Sequence, residues 1–179
     1  MSLTRRGFAA GVLAFAAASL LAQMPEGTLA IMRHALAPGT GDPEGFTLGD
    51  CSTQRTLNDA GRAQAEATGA MLRAQGMRFE RVLTSQWCRC RETADLLGLG
   101  PVEEVPAFNS HFAGRGDRAA QTAEALDLLG RITLPVMVVT HQVNIISLTD
   151  QSTRSGEVLI ARPGGRRLEV IDSVYVAPA

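Results

Sequence analysis

The stretch LAIMRHALAPGTGDP, Leu29 to Pro43, decides how the rest of the chain is read. Thr28 to Met32 is a short apolar run of the kind that fills a buried strand. It stops on Arg33 and His34, and a loop rich in proline and glycine follows. An isolated Arg-His pair would be read as a surface arginine beside a satisfied buried histidine. At the end of a strand, before such a loop, the pair instead marks the rim of a site. Pro38, Gly39 and Gly41 let the loop leave that rim, which places Asp42 where it can fold back over it.

Working outward, strands and helices alternate. Leu57 to Met77 predicts a helix, with Asn58 or Asp59 as its cap and Gly76 as its stop. Arg81 to Ser85 predicts a second strand, and WCRCRETADLLGLG a second helix ending in glycines. GPVEEVP offers a short third strand, Gly116 to Ile132 a third helix, and Leu134 to His141 the most strand-like run of all. GEVLIAR and RRLEVIDSVYV, joined through Pro163-Gly164-Gly165, read as a closing hairpin. This alternation implies an α/β fold whose sheet carries helices on both faces.

The 179 residues, 45% hydrophobic and 20% charged, suit one domain with a real core. A formal net charge of −1 argues against a nucleic-acid partner, which would demand a basic surface. All 17 basic residues are arginine, so an anion bound here meets guanidinium forks or imidazoles. Residues 1–22 read as an export signal of the twin-arginine kind, with Arg5 and Arg6 before an apolar stretch from Phe8 to Ala22. Cleavage after Ala22 would leave a domain of residues 23–179 in a bacterial periplasm, with no stable membrane span. The alternative is an uncleaved or buried amphipathic helix. In an oxidising compartment Cys51 can pair with one of Cys88 and Cys90, whose side chains diverge on a helix. Cys51–Cys88 is taken as a hypothesis, with the choice between Cys88 and Cys90 left open and three small buried hydrophobes as the alternative.

Ligands collect at the carboxyl ends of strands in such sheets. Three strands end there in polar residues: Arg33-His34, Ser85 with Arg89 one turn beyond, and Thr140-His141. Two arginines and two histidines make a pocket for a dianionic phosphate. A neutral imidazole whose second nitrogen is fixed by an acceptor can attack phosphorus, and guanidinium groups stabilise the charge that develops. A helix starting after His141 would add backbone N–H groups and the positive end of its dipole. The histidines share no metal-ligand spacing, so neither metal nor other cofactor is expected.

These residues resemble the histidine phosphatase superfamily, with its phosphoglycerate-mutase-like fold. The likeness lies in Met32-Arg33-His34-Ala35 after the first strand, in the helix headed by Ser85 with Arg89 and then Thr93-Ala94, and in His141 closing Val138-Val139-Thr140. The Leu57 to Ala70 segment, with its Gln64-Ala65 pair, adds to it. The resemblance runs from about Thr28 to about Ile160. It implies a three-layer α/β/α sandwich with a mostly parallel central sheet. By residue, it implies His34 as the phosphorylated nucleophile, Arg33 and Arg89 as phosphate clamps, and His141 as a second imidazole on the phosphoryl oxygens. Asn144 would assist in binding phosphate.

The proton donor stays unassigned. One branch of the family carries an aspartate where this chain has Gln142, and an amide is no general acid. The other branch takes a glutamate from the middle segment, at a position that falls here on Asn109 or Ser110. Glu103, Glu104, Asp117 and His111 are nearby candidates outside any motif. Arg91 reads as a solvated helix face and Trp87 as a packing residue.

The expectation is a metal-independent phosphatase acting on a phosphomonoester or similar small phosphorylated group through a phosphohistidine on His34. A good leaving group, or a phosphoramidate nitrogen that protonates easily, would need little acid catalysis. The rival readings are a non-catalytic phosphate- or phosphoglycan-binding module of the same fold and a phosphomutase, for which the chain has no long covering insertion.

Overall fold

The computed structural model describes residues 24–179; the expected export signal at 1–22 lies outside them. The apolar run after Thr28 forms β1 (Leu29–Arg33), with Leu29 to Met32 wholly buried. It is followed by α1 (Asp59–Ala74), β2 (Val82–Thr84), α2 (Cys88–Leu97), β3 (Val102–Glu104), α3 (Arg118–Arg131), β4 (Met137–Thr140), α4 (Gln142–Thr149), β5 (Val158–Pro163) and β6 (Leu168–Val174).

The six strands form one mixed sheet in the order β3-β2-β4-β1-β5-β6. The pairings β3-β2, β2-β4 and β4-β1 are parallel, whereas β1-β5 and β5-β6 are antiparallel. The closing hairpin supplies the last pairing, as its turn chemistry suggests. Period-two alternation divides the core. Leu29, Ile31, Leu83, Val138 and Leu159 cluster with Ala125 and Leu129 of α3 and Ile145 and Leu148 of α4. Ala30, Met32, Val82, Val139 and Ile160 cluster with Leu72 of α1 and Ala94 and Leu97 of α2.

Local chemistry sets the element ends. Asn58 rather than Asp59 caps α1, its side chain accepting from Gly61 N at 2.8 Å. Asp117 caps α3 through Ala119 and Ala120 N, so that helix starts two residues later than its apolar pattern suggests. Gly98 ends α2 in the left-handed region at φ 57°. Two glycines on α1 allow close approach. A Cβ on Gly61 would lie 2.0 Å from Leu36 O, and one on Gly69 2.0 Å from Leu97 O.

Two cross-links fix the flank of the sheet beside the segment that leaves β1. Cys51 and Cys88 form a disulfide, and Cys90 is a buried free thiol. Buried Gln64 of α1 accepts from Leu36 N at 3.0 Å and donates to Ser155 O and Val176 O at 2.9 and 2.8 Å. One amide thus joins the segment after β1, the approach to β5 and the tail after β6. Among the described residues no helix is long and apolar enough to cross a membrane.

Candidate active site

The strand order places the carboxyl ends of β2, β4 and β1 side by side, which is why three polar strand ends far apart in sequence meet. Backbone bonds lock the meeting: His34 N donates to Thr140 O at 2.9 Å and Ser85 N to Val139 O at 3.1 Å. A cavity of about 200 Å³ opens there, lined among others by Arg33, His34, Asp42, Arg55, Arg89 and His141. Larger depressions elsewhere, such as one of about 840 Å³ along α3, hold none of these groups.

His34 is 2% exposed. Its Nδ1 lies 2.8 Å from Ala35 O, so the proton sits on Nδ1 and Nε2 carries the lone pair. Arg89 Nε points at that nitrogen from 3.3 Å. Burial, with the nearby Arg89 charge adding to it, holds the imidazole well below its ordinary pKa, so it is neutral near pH 7.

His141 is set differently. Its Nε2 lies 2.8 Å from Ser85 Oγ, whose hydroxyl donates onward to Asn109 Oδ1 at 3.2 Å. The serine oxygen therefore accepts a hydrogen bond from Nε2–H, leaving Nδ1 as the acceptor facing Arg89 Nη2 at 3.5 Å. Burial, His34 and Arg89 hold this imidazole well below its ordinary range too. The two rings meet edge to face, with centroids 5.6 Å apart. Cys90 Sγ lies 3.5 Å from His141 Nε2, and burial pushes its thiol up to about 12, so it stays protonated.

Three guanidinium groups face one carboxylate, an excess of two positive charges matched to a dianion. Arg89 Nη1 and Nη2 grip Asp42 Oδ1 and Oδ2 at 2.7 and 3.3 Å, with both side chains 3% exposed. Asp42 also accepts from Trp87 Nε1 at 3.0 Å and from Arg55 N at 3.2 Å. Burial pushes its carboxyl up, but the bonds from Arg89 and Trp87 outweigh that and hold it below the usual carboxylate range. Arg55 donates to Gly41 O at 2.9 Å and to Ala37 O. Arg33 Nη1 reaches Thr153 O at 3.3 Å, while its buried Nε has no partner among the described residues.

The structure thus brings together Arg33, His34, Arg89 and His141. It does not bring Asn144 among the lining residues: Nδ2 of that side chain donates to Asn109 O at 2.9 Å, which turns it to bracing the middle segment. Gln142 lines the cavity, but its Oε1 is taken by Thr153 N and Oγ1. Glu103 and Glu104 lie on the exposed edge strand, paired with Arg81 and Arg91, and Asp117 is a helix cap. His111 sits against Ser147, outside the lining. Asp42 is therefore the one carboxyl among the described lining residues. Arg55 went unread in the sequence because it stands in an aperiodic loop. The one available signal was an arginine shortly before the α1 cap on the segment that leaves β1. Trp87 packs as expected and also holds Asp42.

Residues 29–115 match the family described as the histidine phosphatase superfamily (branch 1). A stretch of 54 residues is 39% identical to the serine/threonine-protein phosphatase Pgam5, mitochondrial, of Drosophila virilis, and makes up 30% of this chain but only 19% of that protein. Among solved structures, the protein histidine phosphatase SixA complexed with tungstate aligns with a TM-score of 0.60 at 18% identity, over 83% of this chain and 96% of that one. The putative phosphohistidine phosphatase SixA from Agrobacterium tumefaciens gives 0.58 at 20% identity, over 83% and 97%. At these identities the two structures share the fold.

Proposed function

We propose that this chain, which belongs to the histidine phosphatase superfamily, hydrolyses a phosphomonoester or similar small phosphorylated group by way of a phosphohistidine on His34. The observation that carries the reading is the buried, neutral His34, its Nδ1 proton held by Ala35 O and its Nε2 lone pair turned into the cavity beside Arg89 Nε. Nε2 attacks phosphorus, the bond to the leaving oxygen breaks, and the electron pair departs with that oxygen, which takes a proton from water. Water then attacks phosphorus, the P–N bond breaks, the pair returns to Nε2, and inorganic phosphate leaves. Arg33, Arg55 and Arg89 offset the charge on the phosphoryl oxygens, the task a metal ion would otherwise perform. The buried donor at Arg33 Nε, without a partner among the described residues, would gain one from the anion.

The names of the relatives support a phosphatase: one is a serine/threonine-protein phosphatase and two are named for histidine or phosphohistidine. We take the architecture as a three-layer α/β/α sandwich, supported by the separate clusters that α1 with α2 and α3 with α4 form on the sheet. We also place the protein in the periplasm, with residues 1–22 as its export signal. The Cys51–Cys88 bridge supports an oxidising compartment.

The test is turnover of p-nitrophenyl phosphate by the wild type beside His34→Ala, with acid-labile phosphate trapped on the protein. The expected loss is at least about 10³-fold. Equal activity in the two would remove His34 as nucleophile. A phosphate-binding module is the second reading, favoured by the commitment of Asp42 to Arg89, and binding without turnover or trapped phosphate would select it.

A further inference from the structure

We infer that Asp42 is a positioning residue that aims Arg89 at the phosphoryl group and donates no proton to the leaving group, an inference that rests on the phosphatase reading above. A guanidinium group has two edges able to hold an oxyanion with paired N–H bonds, Nη1/Nη2 and Nε/Nη2. Asp42 takes the first edge, at 2.7 and 3.3 Å. The second edge is thereby turned to the histidines, with Nε 3.3 Å from His34 Nε2 and Nη2 3.5 Å from His141 Nδ1. Both imidazoles and Arg89 line the same cavity, from which a phosphoryl group must approach to meet the His34 lone pair. The ion pair leaves free the edge of Arg89 that the reaction needs.

The alternative role for the only carboxyl among the described lining residues is general acid. The surroundings of Asp42 oppose it. Both oxygens are occupied, Oδ1 by Arg89 Nη1 and Arg55 N, Oδ2 by Arg89 Nη2 and Trp87 Nε1. A carboxylate so bound is ionised and has no proton to give. Release of Arg89 would cost aim, because a buried guanidinium deprived of its anchor turns to other acceptors, and Arg55 O already lies 3.4 Å from Nη1. The substrate that suits this arrangement carries a leaving group that departs without a proton from the enzyme, such as an aryl oxygen or an already protonated nitrogen.

The experiment compares wild type, Asp42→Ala, Asp42→Asn, Arg89→Ala and Asp42→Ala/Arg89→Ala on aryl phosphates of graded leaving-group pKa. The affinity of each protein for inorganic phosphate is read by calorimetry, and its thermal midpoint records folding. Asp42→Ala is expected to lower kcat/KM by about 10- to 100-fold, by the same factor across the series, and to weaken phosphate binding. In the Arg89→Ala background the same change should cost less than about threefold, since Asp42 acts through Arg89. The isosteric Asp42→Asn, which preserves volume if the alanine variant unfolds, should show the same uniform loss. A loss that steepens with leaving-group pKa would make Asp42 the proton donor. Equal losses in both backgrounds would show that it does not act through Arg89. Absence of turnover in the wild type would end the phosphatase reading alone, because the phosphate-affinity cycle still reports whether Asp42 aims Arg89.

Discussion

The segments that follow β1 and β3 both contribute walls to the cavity, yet they are held in opposite ways. Residues 35–58 are tied down by the Cys51–Cys88 bridge, by the buried Asp42–Arg89 pair, and by Gln54, which accepts from Cys88 N and donates to Thr47 O and Leu48 O. Residues 105–117 are anchored up to Asn109, through Ser85, Gln86 and Asn144. Beyond it the segment combines local contacts, such as Phe112 N to Ser110 Oγ, with single distant ones, His111 on Ser147 and Arg115 over the Phe46 ring. Phe112 is 42% exposed at the mouth, and Ala113 sits at φ 57°. The comparison teaches that the wall of the cavity built from residues 35–58 is fixed in advance, while the wall beyond Asn109 is more open.

The largest contrast should come from truncating one side chain on each side. Arg89→Ala is expected to lower kcat/KM by about 10²- to 10³-fold, the usual loss when a preorganised donor to a developing oxyanion is removed. Phe112→Ala should change KM by no more than a few-fold and leave kcat alone. Comparable losses in kcat from both would mean that the open side is as preorganised as the closed one. Next in size is the bridge, which spans 37 residues of sequence. Cys51→Ser should destabilise the fold by about 2–4 kcal/mol in denaturant titration, far more than Ser110→Ala on the opposite segment.

The smallest effect is on pH dependence. Burial depresses the pKa of both His34 and His141 in the folded protein. Below the ordinary value of 6.5 the unfolded chain therefore binds protons that the folded chain refuses, and stability falls as pH drops through that window. His141→Asn should flatten the slope of the thermal midpoint between pH 7 and pH 5.5. His111→Asn, on the more open segment, should change it less. Because protonation of His34 is displaced to low pH, kcat/KM should also hold up below pH 6.5.

The sequence made the sheet's functional edge legible because that edge is written in local signals. Apolar runs that stop on Arg33-His34, Ser85 and Thr140-His141 show where strands end, and the parallel pairing of β2, β4 and β1 does the rest. The hairpin was readable from its turn residues; the divergence of Cys88 and Cys90 shows only that one of them can pair with Cys51, and the structure selects Cys88. Arg55 and the Asp42–Arg89 pair were harder, since a loop without period gives no direction to its side chains. Asn144 is legible only by likeness to a family motif; in the structure its Nδ2 donates to the carbonyl of Asn109, while its buried Oδ1 has no partner among the described residues. The middle segment hid its role because Glu103, Glu104 and Asp117 spend their charge on exposed ion pairs and a helix cap, which spacing along the chain does not reveal.

The Gln64 amide has a consequence for the order in which the molecule is completed during synthesis. Leu36, two residues past His34, leaves the ribosome early, but the side chain that braces it also binds Val176 O, 112 positions beyond Gln64. The flank of His34 is thus among the first segments made and among the last finished. A nascent chain that has already formed β1 still lacks the final acceptor of that amide until the tail after β6 has emerged.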